Sequence, residues 1–178
     1  MINPFLVGDK LYLRPLDQGD APAFVTWLND PELTRFLLAY RPMTLRAEEE
    51  FIDSLAKGER ITLGIALRDG DRLIGGTGLH DLDERCRRAT FGILIGPPEE
   101  RGKGYGTEVT GLMVGYAFET LNLNRVTLGA YEYNPRGIRA YEKVGFCREG
   151  VLRQDTYRDG RYWDTIVMGI LREEWKHG

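Results

Sequence analysis

The stretch GPPEERGKGYGTEVTG, residues 96–111, stands between a strand-like run and a helical pattern and decides how the middle of the chain folds. Three glycines alternate with other residues from Gly102 to Gly106, and the basic residues Arg101 and Lys103 stand among them. Such a turn lets the backbone approach a ligand closely, and the first amides of the following helix form a site for an anion. The stretch predicts a phosphate-binding loop; the alternative is a tight glycine turn with solvated charges.

Two well-known phosphate loops do not match this stretch. A Walker A loop needs glycine where Pro97 stands, and Ser or Thr where Gly104 stands. The dinucleotide fingerprint GxGxxG needs a third glycine at Thr107 or at Val109, depending on where it starts. The loop therefore belongs to neither class.

Composition limits what the protein can be. A chain of 178 residues with 42% apolar content predicts one globular domain over residues 1–178. A net charge of −3 argues against nucleic-acid binding. The chain never approaches the ~20 apolar residues of a membrane span, so we expect a cytoplasmic protein that does not enter membranes. Cys86 and Cys147 lack metal-ligand spacing, so we expect no metal.

The first part of the chain predicts one strand and two helices. KLYLRPL, residues 10–16, reads as a strand because leucines alternate there with other residues. A helix capped by Asp20 is predicted to end before Pro31. A second helix is predicted from its cap at Thr44 to its stop at Gly58.

The middle of the chain predicts an antiparallel meander followed by a helix. Residues 61–83 contain two strand-like runs about an Asp69–Gly70 turn, and RRATFGILIG, residues 87–96, is a third. After the glycine loop, apolar residues at helical spacing predict a helix over 107–121 that packs on a sheet.

The last part of the chain predicts a parallel crossover and a hairpin. RVTLGAYEY, residues 125–133, is a strand that we expect to run parallel to its neighbour through a right-handed crossover. A helix follows, with Asn134 as its cap and Gly145 as its stop, and a final strand pair turns at Asp159–Gly160. The sum is a mixed sheet with helices on its faces, an α+β domain.

RGKGYG resembles the R/Q-x-x-G-x-G/A acetyl-CoA loop of the Gcn5-related N-acetyltransferases, the GNAT family. The matching segments KLYLRPL, WLNDPELTRFL, RLIGGTGL, ATFGILIG and NPRGIRAYEKVGFCREGVLR stand in the family's order and cover nearly the whole chain. The branch resembles the bacterial ribosomal-protein alanine and spermidine acetyltransferases. This resemblance implies a mostly antiparallel, centrally splayed sheet of about six or seven strands with about four helices.

The resemblance also implies acetyl-CoA as co-substrate and direct attack by an amine, without an acyl-enzyme. Backbone groups of Ile93, Leu94 and Ile95 are then expected to bind the pantetheine arm, and an amide near Leu94 to polarise the thioester carbonyl. The side chains of these three residues are expected to be ordinary core. The expected cofactor-binding residues of the loop and of the following helices are Arg101, Gly102, Lys103, Gly104, Tyr105, Gly106, Thr107 and Asn134.

Tyr141 matches the family's tyrosine, whose hydroxyl gives its proton to the departing CoA thiolate. Seven residues separate Asn134 from Tyr141, so both lie on one face of a helix and can line one cleft. The alternatives are that Asn134 is only a helix cap and that Tyr141 is a core aromatic residue with a buried partner. Arg136 and Arg139 are expected to be exposed or to contact the cofactor weakly.

The base that removes the amine's proton is expected in LHDLDE, at the end of a strand, and Asp81 is our candidate. The alternatives are a water chain or one of the residues His80, Asp83, Glu84 and Glu132. A histidine or an acidic run at such a place is also commonly a solvated surface feature.

The acceptor is expected to be a primary amine of a protein N-terminus, a polyamine or an amino sugar. The segments WLNDPELTRFL and EEEFIDSL are expected to form the walls of its cleft. Tyr40, Arg41 and Pro42 replace the acidic residues of the spermidine enzymes, which disfavours a polyamine, and Pro135 replaces the serine common in the ribosomal-protein enzymes. The alternative function is a non-catalytic acetyl-CoA sensor, which needs no Tyr141. A homodimer is also possible.

Overall fold

The computed structural model of the protein describes residues 1–37, 39–58 and 60–176. The chain forms two compact units, which are described separately below. The first holds Met1–Gly78 and Ile93–Tyr105, and the second holds Leu79–Gly92 and the chain from Gly106 onward.

The predicted α+β class is confirmed. The described residues form eight strands in the hydrogen-bonded order β1-β2-β3-β4-β5-β6-β8-β7, together with five α-helices. The strands are Leu6–Val7, Leu11–Pro15, Ile61–Leu67, Leu73–Asp83, Arg88–Ile95, Arg125–Tyr131, Cys147–Arg158 and Arg161–Leu171, numbered β1 to β8. The helices are Ala21–Leu28, Pro31–Thr34, Leu45–Ser54, Tyr105–Gly115 and Pro135–Val144, numbered α1 to α5. We expected about six or seven strands and about four helices; the additional elements include β1 and α2, which are very short.

In the first unit, β2 pairs antiparallel with both β1 and β3. Leu11, Tyr12 and Leu13 are all fully buried, so β2 is covered on both faces and does not alternate as predicted. The buried Tyr12 keeps its hydroxyl satisfied, because it accepts from the amide of Ile2 at 3.0 Å and donates to Asp71 at 3.1 Å.

The helices of the first unit differ from prediction in two details. Asp20 precedes α1 but does not cap it; its carboxylate instead accepts two bonds from Arg14, at 2.7 and 2.8 Å. The guanidinium fork binds a carboxylate at both oxygens, which is a stronger contact than a cap. The short helix α2 was not predicted, and it begins where the Asp30 carboxylate accepts from the Glu32 amide at 2.9 Å. The Thr44 cap and the Gly58 stop of the next helical segment are confirmed.

In the second unit, β5 and β6 run parallel, as predicted, and pair at Arg88–Arg125, Ala89–Val126 and Thr90–Thr127. The strand β6 continues to Tyr131 in antiparallel register with β8, which also pairs with β7. Helix α4 begins at Tyr105, two residues before the predicted start, and passes into a π-helical turn over Tyr116–Thr120. Val109, Met113 and Val114 of this helix are fully buried, as are Val126, Met168 and Ile170 of the strands β6 and β8.

Helix α5 matches its prediction at both ends. The Asn134 side chain accepts from the Gly137 amide at 3.0 Å, Pro135 is the first helical residue, and Gly145 ends the helix with a φ of 112°. Each of these signals acts through residues next to it in sequence, so it does not depend on what the helix packs against. None of the described helices is long and apolar enough to cross a membrane.

Candidate functional site

The glycine loop begins where β5 ends and leads directly into α4. A short 3-10 turn over Pro98–Glu100 is followed by Gly102 and Gly104, whose φ values are 86° and 91°. Both residues therefore adopt the left-handed conformation that favours glycine. Helix α4 starts at Tyr105, so the unpaired amides of its first turn follow the loop at once. This is the strand, glycine turn and helix that the sequence predicted.

The space around two of the loop glycines is open. A Cβ built on Gly104 or on Gly106 meets no atom within 4 Å. Gly106 lies within the first turn of α4 without a positive φ, where glycine is less favourable than alanine by about 0.5–1 kcal/mol. The protein's own packing does not require glycine there. The open backbone fits a ligand that approaches it closely, and the helix start fits an anionic one.

Arg101 is held by the chain's own carbonyl groups. Its guanidinium donates to the carbonyl of Ile95 at 3.2 Å and to that of Gly96 at 2.6 Å, and it lies 3.8 Å from the Asp30 carboxylate. Only 13% of the side chain is exposed. The arginine therefore ties the end of β5 to the loop, a role that the sequence did not indicate.

Lys103 is positioned by a buried carboxylate. Its ammonium group donates to Glu100 at 2.8 Å, and Glu100, which is 4% exposed, also accepts from Arg72. The bonds from Lys103 and from Arg72 hold the pKa of Glu100 below its usual range. About half of the Lys103 side chain remains exposed, so its charge is available to an anion. Sequence analysis missed Glu100; its position three residues before Lys103 was the available signal.

The predicted pantetheine-binding strand is half-buried at Ile93, Leu94 and Ile95. The amide of Gly96 donates to the Ile74 carbonyl at 2.9 Å, and a Cβ on Gly75 would lie 2.1 Å from the Leu94 carbonyl oxygen. This end of β5 is thus packed closely against β4. In the second unit, considering residues 79–92 and 106–176, β6 from Leu128 to Tyr131 pairs with β8 alone.

Tyr141 lies on α5, and its ring is packed between two phenylalanines. The ring centroids of Phe91 and Phe146 lie 6.2 and 6.1 Å away, both with edge-to-face geometry. Burial raises the pKa of Tyr141 to about 12, so the phenol stays protonated at neutral pH. Among the residues that the structure describes, none is hydrogen-bonded to this hydroxyl.

Asn134 caps α5 through its side-chain oxygen, as one of its two predicted roles required. The capping bond leaves the side-chain NH₂ group as a donor for a ligand.

The acidic segment at the end of β4 is exposed. The Asp81 carboxylate lies 2.8 Å from Nδ1 of His80, and the two side chains are 76% and 47% exposed. The Asp83 carboxylate accepts from the Cys86 amide at 2.8 Å and lies 3.2 Å from Arg88, and these contacts lower its pKa.

Glu132, the remaining named candidate for the base, accepts from the Asp164 amide at 3.0 Å. Of the candidates for the base, His80 and Asp81 lie within hydrogen-bond distance of each other, and a histidine–carboxylate pair of this kind is used in proton transfer.

The first of the two segments predicted to form the acceptor cleft is hydrogen-bonded to the chain just before α3. The Asn29 side chain donates to the Met43 carbonyl at 2.8 Å and accepts from the Met43 amide at 2.9 Å. On α3, Glu48 is only 3% exposed, and burial raises its pKa. Both segments lie in the first unit.

The comparisons with known proteins agree with the fold. The acetyltransferase (GNAT) domain family matches residues 10–147. The chain is 34% identical to an uncharacterized N-acetyltransferase, YoaA of Bacillus subtilis, over 95% of this chain and 97% of that protein. A putative ribosomal N-acetyltransferase of the same organism, YdaF, is 37% identical over 62% of this chain and 59% of its own length.

A solved structure is also similar. The crystal structure of spermidine N-acetyltransferase from Vibrio cholerae in complex with CoA and spermine has a TM-score of 0.87 and 27% identity, covering 94% of this chain and 98% of that one. The chain belongs to the GNAT family of acetyltransferases. It is an N-acetyltransferase, and its relatives include both branches that the sequence resembled; the comparisons lend no support to a non-catalytic sensor.

Proposed function

We propose that the protein transfers the acetyl group of acetyl-CoA directly to a primary amine, with Tyr141 as the acid. The observation that carries this proposal is the state of the Tyr141 side chain: a packed ring, a pKa of about 12 and a hydroxyl without a partner among the described residues. A group that only filled the core would need no hydroxyl there. A group that protonates a leaving thiolate needs to stay neutral until the thiolate forms.

The donor is held by the loop and by neighbouring backbone. The amides at the start of α4 and the open backbone of Gly104 and Gly106 bind the pyrophosphate, and Lys103 adds a charge that Glu100 keeps in place. Arg101 acts mainly by holding the end of β5 against the loop. The backbone of residues 93–95 binds the pantetheine arm, and the free NH₂ group of Asn134 contributes a further donor.

Bound acetyl-CoA supplies an activated acyl group in a thioester, so the protein needs no nucleophile of its own. Its residues hold the donor, keep one proton available on Tyr141 and remove another from the attacking amine. The second task belongs to the His80–Asp81 segment, in which Asp81 was our candidate. Both free cysteines, Cys86 and Cys147, are exposed and take no part.

The acceptor is an amine of a protein N-terminus, a polyamine or an amino sugar. The similarity to a spermidine acetyltransferase solved with spermine supports a polyamine, and the similarity to a putative ribosomal acetyltransferase supports a protein N-terminus. Our expectations of one domain over residues 1–178, of a cytoplasmic protein and of a homodimer stay predictions.

The test is release of free CoA thiol, measured with a thiol-reactive dye and a panel of amines: peptides beginning with Ala or Ser, spermidine, aminoglycosides and amino sugars. We expect amine-dependent release with at least one class and a matching acetylated product by mass spectrometry. Tight binding of CoA by calorimetry, with no release for any amine in the panel, would overturn the proposal.

A further inference from the structure

His80 and Asp81 are neighbours in β4 whose side chains bond to each other. Nδ1 of His80 lies 2.8 Å from Oδ2 of Asp81. A carboxylate only accepts hydrogen bonds, so in a neutral imidazole Nδ1 carries the hydrogen and Nε2 keeps its lone pair. The pair therefore presents an oriented proton acceptor.

The backbone at Asp81 explains how two adjacent strand residues reach each other. Successive side chains of a regular strand point to opposite faces, which keeps neighbours apart. Asp81 has a φ of 51°, a left-handed conformation that is unfavourable for a residue other than glycine. This break in the alternation turns the carboxylate back towards the imidazole.

Gly92 of β5 leaves room in front of the imidazole. A Cβ built on Gly92 would lie 3.8 Å from Nε2 and 4.0 Å from Cδ2 of His80; apart from its chain neighbours, no other atom of the described residues is within 4 Å. Glycine inside a strand weakens it and commonly marks a place where a ligand approaches closely. The open space at Gly92 thus borders the nitrogen that bears the lone pair.

The phenol of Tyr141 is placed on the other face of β5. Phe91 packs against Tyr141, and its neighbour Gly92 faces His80. Because adjacent strand residues point to opposite faces, the imidazole and the phenol stand on opposite sides of the strand. Because the strand lies between them, the imidazole of His80 and the phenol of Tyr141 do not transfer a proton to each other.

We propose that His80, oriented by Asp81, is the catalytic residue that removes the proton from the attacking amine, and that Asp81 is a positioning residue. This rests on the proposed function. As the N–C bond forms, Nε2 accepts a proton from the amine nitrogen. The C–S bond of acetyl-CoA breaks, and Tyr141 gives its hydroxyl proton to the sulfur. The products are the acetylated amine and CoA. His80 then gives its proton to solvent and the Tyr141 phenolate takes one from solvent, which restores both groups.

Imidazole suits this task because it is the side chain whose charge changes near neutral pH. The Asp81 carboxylate is already engaged by Nδ1, so it assists the ring instead of meeting the amine.

The first test reads the tautomer in the free protein. The sequence has two histidines, so the variant His177→Gln leaves His80 as the only one. Nitrogen-15 NMR of labelled histidine should show the hydrogen on Nδ1 in this background. Adding Asp81→Ala should increase the fraction of the tautomer that carries its hydrogen on Nε2. If the hydrogen already lies on Nε2 while Asp81 is present, or if Asp81→Ala leaves the tautomer ratio unchanged, Asp81 does not position the imidazole.

The second test is kinetic. His80→Gln should lower kcat by about 10²-fold or more, with little change in KM for acetyl-CoA. Asp81→Ala should lower kcat by a smaller factor, and the double variant should be no slower than His80→Gln alone, because Asp81 acts through His80. The control His177→Gln should keep the parent kcat. If Asp81→Ala lowers kcat by the same factor in the His80→Gln background as in the parent protein, the proposal is wrong.

The third test fills the space at Gly92. Gly92→Ala adds a methyl group at ordinary contact distance from the imidazole, so the protein should keep its Tm while losing activity for the amine. An unchanged kcat/KM for the amine contradicts the placement of the substrate there. If the parent protein acetylates no amine, the proposed function fails; if it does and His80→Gln is fully active, only this inference fails.

Discussion

Two sets of glycines in this protein meet opposite surroundings. A Cβ on Gly96 would lie 2.1 Å from the Trp27 ring, and one on Gly75 would lie 2.1 Å from the Leu94 carbonyl oxygen. At Gly104 and Gly106 the same construction meets no atom within 4 Å. The first set is required by the packing of the protein itself. At Gly104 and Gly106 the backbone is open to the approach of another molecule.

The difference teaches that a glycine-rich sequence has no single meaning. Composition alone treats these four glycines alike. Tyr141 shows the same contrast within one side chain, because its ring is packed and its hydroxyl is unpaired among the described residues. Packed groups should affect stability when changed, and open groups should affect binding or turnover.

The largest effect is expected for Gly96→Ala. The new methyl group would collide with the indole of Trp27, and overpacking of this kind destabilises by about 3 kcal/mol. Urea unfolding followed by tryptophan fluorescence measures the change. The matched control is Gly111→Ala in α4, where nothing lies within 4 Å and stability should rise slightly. Equal stability of the two variants would remove the distinction between packed and open glycines.

Tyr141→Phe should separate the ring from the hydroxyl. We expect kcat to fall by about 10²-fold, because the thiolate loses its proton donor. The dissociation constant for acetyl-CoA should stay near the parent value, and the free energy of unfolding should change by about 1 kcal/mol or less, since no bond of the hydroxyl is lost. Steady-state kinetics, calorimetry and urea unfolding provide the three measurements. Unchanged turnover would exclude Tyr141 as the acid.

The raised pKa of Tyr141 predicts a loss of stability in alkali. Above about pH 10 the unfolded chain releases this proton while the folded chain keeps it up to about pH 12. The contribution is therefore complete below pH 10 and declines as the pH rises through 12, by about 3 kcal/mol in all. Urea unfolding from pH 9 to 12 should show this decline relative to Tyr141→Phe. Parallel curves for the two proteins would show that burial does not hold the proton.

The smallest change in stability is expected for Gly106→Ala. Alanine in the first turn of α4 should stabilise the protein by about 0.5–1 kcal/mol, because nothing obstructs the methyl group. The same methyl group should weaken CoA binding about tenfold, or about 1.4 kcal/mol. Thermal unfolding and calorimetric titration with CoA test the two parts. A more stable variant that binds CoA as tightly as the parent would place the ligand elsewhere.

Local signals predicted the parts of the fold that depend on few residues. The cap, the first residue and the stop of α5 were all correct because a side-chain cap, a proline and a left-handed glycine act within their own turn. The parallel pairing of β6 with β5 followed from a crossover rule that holds for nearly all such connections. The glycine loop was located because its spacing excluded the other phosphate loops.

Sequence patterns failed where a side chain from another element of the fold binds the group in question. Asp20 stands at a cap position, but Arg14 takes its carboxylate. At Arg101 the structure adds contacts that the sequence did not indicate, because backbone carbonyls hold its guanidinium; its role as a phosphate ligand stays a prediction. The short helix α2 was missed because its single turn has no apolar period to detect.

The sequence by itself determined the family and the α+β class, because these rest on motifs and on contacts within a few residues; the donor loop and the roles of Asn134 and Tyr141 are predictions from the same motifs. Only the tertiary structure decided which glycines are packed, that Tyr141 is enclosed by Phe91 and Phe146, and that His80 faces Gly92 across two strands. Burial and the direction of a side chain depend on residues far apart in the chain. A linear pattern carries no information about that proximity until the chain has folded.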